Sequence, residues 1–261
     1  MNKILTTILT FSVFFIFGQT NRFIYQLDWK MAGQEMKTNM VLDIDKDFVK
    51  FYDYKFLEMD SINKKFRGNN NRTNTMADQL LIRKRNSSEN KTFHDNNFDY
   101  FVLSSKDKMN WKVTKETKKL DNYKLQKATT SFGGREWTAW FTPEISIPDG
   151  PYKFHGLPGL ILKISDKTNT HSFEIISVQK QKSNYFILNE NDYKKAKQIT
   201  LKEYEKMPNH LELFKSQALM GDVIFRDKEQ EQKFMRDIDI QIKEKKIHDN
   251  NPIEILDVLK N

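Results

Sequence analysis

The groups in this chain that could be assembled for chemistry lie close to one another around residue 150. His155 follows Asp149, with Glu144 and Arg135 upstream and the hydroxyls of Ser131, Thr142 and Ser146 nearby. A hydrolytic reading makes His155 the base, oriented by Asp149 or Glu144, acting on a nucleophile within its reach. None of these hydroxyls sits in a nucleophile-elbow pattern, so no catalytic residue is assigned and an envelope hydrolase is kept as the alternative. The binding reading uses the same stretch differently. Tyr152, Phe154 and the backbone amides of residues 151–160 rim a ligand pocket, with His155 at the rim. Arg135 binds a carboxylate or pairs with Asp149 to brace the loop, and Trp140 offers an indole face. The five histidines, His94, His155, His171, His210 and His248, show no paired ligand spacing, and the chain has no cysteine. Thiolate metal sites and disulfides are thereby excluded, and no metal is expected. Neither a phosphate-cradling glycine loop nor a dinucleotide fingerprint is present, so no cofactor is expected.

These residues must be positioned by the elements around them. Residues 150–162 read Gly-Pro-Tyr-Lys-Phe-His-Gly-Leu-Pro-Gly-Leu-Ile-Leu. Pro158 followed by Gly159 predicts a type II turn, because glycine accepts the positive φ required at its third position. Gly156 allows a close approach or another unusual backbone angle. Leu160, Leu162 and Ile164 then share one face of an outgoing strand. Upstream, Gly133-Gly134 between two strand-like runs predicts a hairpin with a two-residue turn. Its register places Phe132, Thr130, Ala128, Gln126, Trp137, Ala139 and Phe141 on a buried face. Trp140 falls on the opposite, polar face beside Lys127, where a cation–π contact is expected.

The rest of the first half reads as strands between polar loops. Residues 22–30 alternate, with Phe23, Tyr25, Leu27 and Trp29 on one side. Residues 39–44 and 47–54 form a hairpin across Asp45-Lys46. Residues 64–74 are an exposed loop, 75–84 a short helix and 85–97 a polar stretch, before strands at 98–104 and 111–115. A second hairpin joins 160–165 to 171–179. From residue 192 the pattern turns helical. Thr200 with Glu203 makes a capping box, Pro208 suits a first turn and Gly221 a stop. Phe234, Ile238 and Ile242 form the stripe of a helix laid on something apolar. The expected fold is mainly β with C-terminal helices, α+β: a curved antiparallel sheet or partial barrel packed against helices. One domain is expected over residues 19–261, strand-rich to about 190 and helical from about 192.

Lys3 followed by the largely apolar residues 4–17, with Gly18-Gln19 at the cut, reads as a signal peptide over residues 1–18. It falls short of the roughly 20 apolar residues a membrane-spanning helix needs, and no later run approaches that length. The lack of cysteine excludes a lipoprotein anchor. The net charge of +8 comes from lysines interleaved with acids along the chain. That pattern and the export signal argue against a nucleic-acid partner.

Gly156-Leu157-Pro158-Gly159-Leu160-Ile161 carries a resemblance to the GLPGLI family, exported bacterial proteins common in Bacteroidetes whose biochemical role is unassigned. Further stretches resemble the family pattern in order: residues 111–116, Lys127-Ala128, Gly134-Arg135, residues 138–142 and residues 150–162. Asn251-Pro252-Ile253-Glu254-Ile255 resembles the family's usual ending, so the likeness spans about residues 22–256. Relatives often carry a cysteine just before the Lys-Ala pair, where this chain has Leu125; a thiol-based function would not apply here. The resemblance implies an exported protein of the cell envelope: periplasmic, associated with the outer membrane, or secreted. The strand-rich core followed by helices is also similar in architecture to periplasmic carriers of lipoproteins. Together these give the leading expectation, a non-enzymatic binding or carrier protein for an apolar or amphipathic ligand or an envelope protein partner. An accessory scaffold for outer-membrane uptake machinery is a further alternative.

Overall fold

Two antiparallel meanders meet at the centre of one twelve-stranded sheet. The computed structural model describes residues 20–31, 34–65, 80–96, 99–181, 195–207, 210–248 and 254. The first meander comprises β1 (Thr20–Met31), β2 (Gln34–Ile44), β3 (Phe48–Asp53), β4 (Leu80–Lys84), β5 (Glu89–Asn96) and β6 (Asp99–Lys106). The second comprises β7 (Lys112–Leu120), β8 (Tyr123–Phe132), β9 (Arg135–Thr142), β10 (Leu160–Asp166) and β11 (His171–Gln181). β1 pairs with both β2 and β11 and so joins the two halves. The short β12 (Lys197–Ile199) adds to β6 in parallel, giving the order β12-β6-β5-β4-β3-β2-β1-β11-β10-β9-β8-β7.

This order dictates curvature. β6 and β7 stand ten strand spacings apart, about 48 Å in a flat sheet at ~4.8 Å per strand. Only residues 107–111 connect them, and such a link reaches about 21 Å when fully extended. The sheet must therefore curl until its two ends approach, and residues 107–111 cross between them. The expected curved antiparallel sheet is what the chain forms.

The inner face of the curl carries the main core. Phe23, Tyr25, Leu27 and Trp29 of β1 lie there as their alternation predicts, with Met40, Leu42, Val49, Phe51, Leu81, Trp137 and Phe173 from neighbouring strands. The Gly133-Gly134 turn has φ of +57° and +73°, and the β8–β9 register matches the expected one at every pair from Gln126↔Phe141 to Phe132↔Arg135. Trp137 is buried and Trp140 half-buried on the other side. On the opposite face, helix α1 (Lys55–Lys65) brings Phe56 and Leu57 onto Val41, Tyr52 and Leu80.

Helix α2 (Leu201–Lys206) begins with the expected capping box, the Glu203 amide donating to Thr200 Oγ1 and the Thr200 amide to Glu203 Oε2. The ring of Tyr204 lies 4.4 Å from that of His94 on β5. Helices α3 (His210–Leu219) and α4 (Lys228–His248) pack through Phe214 and Phe234, 5.3 Å apart. Ile238 of the predicted stripe is buried, and Gly221 stops α3 at φ +86°. No helix among the described residues is long and apolar enough to cross a membrane.

Two expectations are corrected. Residues 80–84 are not helical: Leu81 and Arg83 face inward on β4, paired between β3 and β5, and pairing on both sides overrides the local pattern. The stretch read as polar contains β5, whose inward residues Asn90 and Thr92 are polar yet buried, so no hydrophobic alternation marks it. Helix α1 was not foreseen. The signal segment 1–18, Pro208 and most of the 64–74 loop lie outside the described residues.

Candidate functional site

The segment between β9 and β10 turns back into the curl and fills it. Gly150 lies flat on β10, where a Cβ would meet Ile161 at 2.8 Å. Asp149 and His155 form an isolated antiparallel bridge, and the Ile161 amide donates to the Asp149 carbonyl at 3.0 Å. At the tip the Phe154 amide donates to Pro151 O at 3.2 Å, closing a turn around Tyr152, whose φ is +54°. The left-handed region is unfavourable for a bulky L-residue by about 1–2 kcal/mol, and here it points the side chain down into the core. Phe154 reaches the rings of Trp137 at 4.7 Å and Phe132 at 5.5 Å, while Tyr152 lies 6.4 Å from Phe51. Leu157 is buried beside them.

The signature closes by a different turn from the one its Pro-Gly pair predicts. The Gly159 amide donates to Leu157 O at 2.8 Å, a three-residue turn centred on Pro158, whose ring-fixed φ permits only the inverse form. The Leu160 amide is thereby released to donate to Ile145 O at 3.1 Å. Gly159 has φ +154°, well away from the type II value, and a Cβ there would lie 2.1 Å from Thr142 O. It is glycine because β9 passes against it. Gly156, with φ +93° and open space around it, is glycine for conformation alone.

A polar layer sits between this plug, β4–β6 and the 107–111 link. Arg83 pairs with Asp149, both almost wholly buried. Asp107 accepts from Asn90 Nδ2 at 2.8 Å and Ser105 Oγ at 2.5 Å, and lies 3.5 Å from Lys153 Nζ. Lys153 also pairs with Glu254 at 2.7 Å, and the Tyr152 hydroxyl donates to the same carboxylate. Trp111 Nε1 donates to the His155 carbonyl at 2.8 Å, and Thr130 Oγ1 to Asn110 O at 3.2 Å, fastening the link over the plug. Arg83 Nε and Asn90 Oδ1, side by side in the register, are buried without a partner among the described residues. Burial lowers the pKa of His155, and the Arg83 charge lowers it further. Burial and then Lys153 push His94 down to about 4. Burial raises the Tyr152 phenol well above its ordinary value, and the Glu254 carboxylate adds to this.

The expected site residues divide accordingly. Asp149, Tyr152, Phe154 and His155 are brought together, but as interior packing. His155 Nδ1–H donates to Lys153 O at 2.7 Å, which leaves Nε2 as its free lone pair. Among the described residues no hydroxyl hydrogen-bonds to that ring. Asp149 is occupied by Arg83, and Glu144 lies elsewhere, accepting from the Lys124 amide at 2.9 Å. Ser131 and Ser146 are exposed. The base, orienting group and nucleophile of the hydrolytic alternative are not assembled.

Arg135 does not brace Asp149. It donates to Asp166 Oδ2 at 3.3 Å and Thr170 Oγ1 at 3.0 Å, locking the turn between β10 and β11. Trp140 stands apart on the other face, with Lys118 Nζ 4.2 Å and Lys127 Nζ 5.9 Å from its ring centre. Sequence reasoning missed Arg83, Asn90, Asp107 and Lys153. Arg83 becomes visible once residues 80–84 are read as a strand, as a lone cation in register with Leu81. Among the described residues no cluster of three or more His, Asp or Glu could hold a metal ion.

Residues 134–163, from the β8–β9 turn through the plug into β10, match the family described as "Protein of unknown function (Porph_ging)". No curated protein matches the chain. Two solved structures of PNGF-II, in C2 and P21 space groups, are similar at TM-scores of 0.54 and 0.53, with 22% and 21% identity. Each likeness covers 72% of this chain and 32% of the other, so the shared fold makes up about a third of PNGF-II. At that identity the likeness is one of fold.

Proposed function

We propose that this chain is an exported, non-enzymatic binding module of the cell envelope, and that what it binds is another macromolecule met on its outer surfaces. One observation carries the reading: the inside of the curled sheet, where a carrier would hold an acyl chain, is occupied by Tyr152, Phe154 and Leu157 of the chain itself. These side chains make aromatic contacts on several sides and are held by the bridge and turn hydrogen bonds of residues 145–161. Evicting them for a ligand would forfeit about 3–5 kcal/mol for Phe154 alone. The fold likeness to one third of a longer protein supports a modular role. Native mass spectrometry of the protein purified from its own envelope tests the reading. The expected result is bare polypeptide together with a protein complex. A stoichiometric adduct of lipid mass on the monomer would overturn it.

A further inference from the structure

Glu254 lies about a hundred positions beyond the plug in sequence, yet its carboxylate is the counter-ion of the plug's own lysine. Lys153 Nζ stands 2.7 Å from Glu254 Oε1, with the two side chains 7% and 12% exposed. The Tyr152 hydroxyl donates to the same oxygen. Lys153 lies 5.5 Å and 5.9 Å from the ring centres of Tyr152 and Phe132, so the ammonium is walled by aromatic faces. Its other carboxylate, Asp107, is farther at 3.5 Å and is already served by Asn90 and Ser105. The floor is Gly133, where a Cβ would lie 2.9 Å from Glu254 Cγ and 3.0 Å from its Cα.

Three separate features thus serve one carboxylate: a left-handed tyrosine, a buried lysine and a turn glycine over which the backbone of residue 254 can lie. Remove Glu254 and, among the described residues, the buried phenol hydroxyl loses its acceptor while the buried ammonium keeps only Asp107, at 3.5 Å. Burying such donors unpaired is costly, so the socket has a strong preference for an acidic occupant.

We infer that Gly133, Tyr152 and Lys153 form a carboxylate-docking socket, which Glu254 fills as a tethered ligand and an acidic peptide segment of a partner fills by displacing it. This rests on the binding-module reading only in naming a partner; loss of the socket would leave that reading standing. Because Glu254 belongs to the same chain, a competitor must bind well or be held nearby to displace it.

The test uses the full chain carrying Glu254→Lys, which places a repelling charge opposite Lys153, with Glu254→Gln as a milder second variant. A labelled peptide of residues 249–261 is titrated in by fluorescence anisotropy. The expected result is saturable binding at least tenfold tighter to the variants than to the unaltered chain, whose own Glu254 competes. The same peptide with Gln in place of Glu254 should not bind, and Lys153→Met in either variant should abolish binding. Absence of saturable binding, equal binding by the Gln peptide, or equal affinity for the unaltered chain would each overturn the inference. So would failure of both variants to fold, because a latch that can be displaced must be dispensable for folding.

Discussion

Replacing Arg83 by methionine isolates the pair that anchors the plug to the far meander. Arg83 and Asp149 are both nearly inaccessible, and each is the ionic partner of the other. Arg83→Met therefore strands the Asp149 carboxylate in the interior, a loss of about 3–5 kcal/mol for a broken buried pair. Part of this is offset. Arg83 Nε already lacks a partner, and removing an orphaned buried donor returns about 1 kcal/mol. A net loss of about 2–4 kcal/mol remains, or roughly 4–16 °C in melting midpoint for a chain of this size. The double variant Arg83→Met, Asp149→Asn has no charge left to bury and should recover at least half of the loss. Urea unfolding followed by tryptophan fluorescence would measure all four corners of the cycle, since Trp111 and Trp137 pack against Phe154 of the plug. A single variant within about 0.5 kcal/mol of the unaltered chain, the range of an ordinary surface substitution, would refute the argument. So would a double variant no more stable than the single one.

Arg135→Ala should lower the melting midpoint clearly more than Lys115→Ala, because Arg135 serves a buried Asp166 while Lys115 is an exposed residue of the edge strand; equal midpoints would sink this. Gly159→Ala should prevent folding, its Cβ colliding with Thr142 O, while Gly156→Ala, with open space but φ +93°, should cost only about 1–2 kcal/mol; similar losses at the two sites would contradict the packing described. Acid should unfold the protein in a defined window. His94 and His171 are held at about 4 in the fold by burial, reinforced by Lys153 and Arg135 respectively, against about 6.5 when unfolded. Folded pKa values below the unfolded ones mean a contribution that is complete above pH 6.5 and lost as pH falls towards 4, of the order of 3 kcal/mol per histidine. Urea midpoints that stay level between about pH 6.5 and 4.5 would overturn it.

What the sequence disclosed follows from how local each determinant is. The β8–β9 hairpin was legible pair by pair because Gly133-Gly134 fixes its turn and the turn fixes the register. The face of β1 was legible because Phe23, Tyr25, Leu27 and Trp29 put an apolar residue at every second position. β4 and β5 were not, because their inward positions carry Arg83, Asn90 and Thr92, which are buried only by virtue of the plug and link that cover them. The pairing of Asp149 was missed for the same reason. Arg135 is the nearest arginine in sequence, but Arg83, 66 positions away, is the one the curl brings to it. In the candidate site, residue types and neighbourhood were visible, while their roles depended on contacts made across the whole sheet.

The plug's chemistry explains why His155, Asp149 and Glu144 do not assemble with a nucleophile. A curled open sheet has an apolar inner face that must be covered. Here one loop covers it, using Tyr152, Phe154 and Leu157 for the apolar area and Asp149 and Lys153 to meet the cations and acids of β4–β6 and the link. Glycine is required where the loop presses on β10, at Gly150, and on β9, at Gly159. Asp149, Tyr152 and Lys153 of the loop therefore each have a structural partner before any substrate is considered, with one difference among those partners. Arg83, Asn90, Ser105 and Trp111 are contributed by sheet and link and cannot leave without unfolding the curl, whereas Glu254 reaches the layer from beyond α4. Among the described partners of this buried layer, Glu254 alone comes from outside the sheet and link, so regulation of the module is most economically placed there.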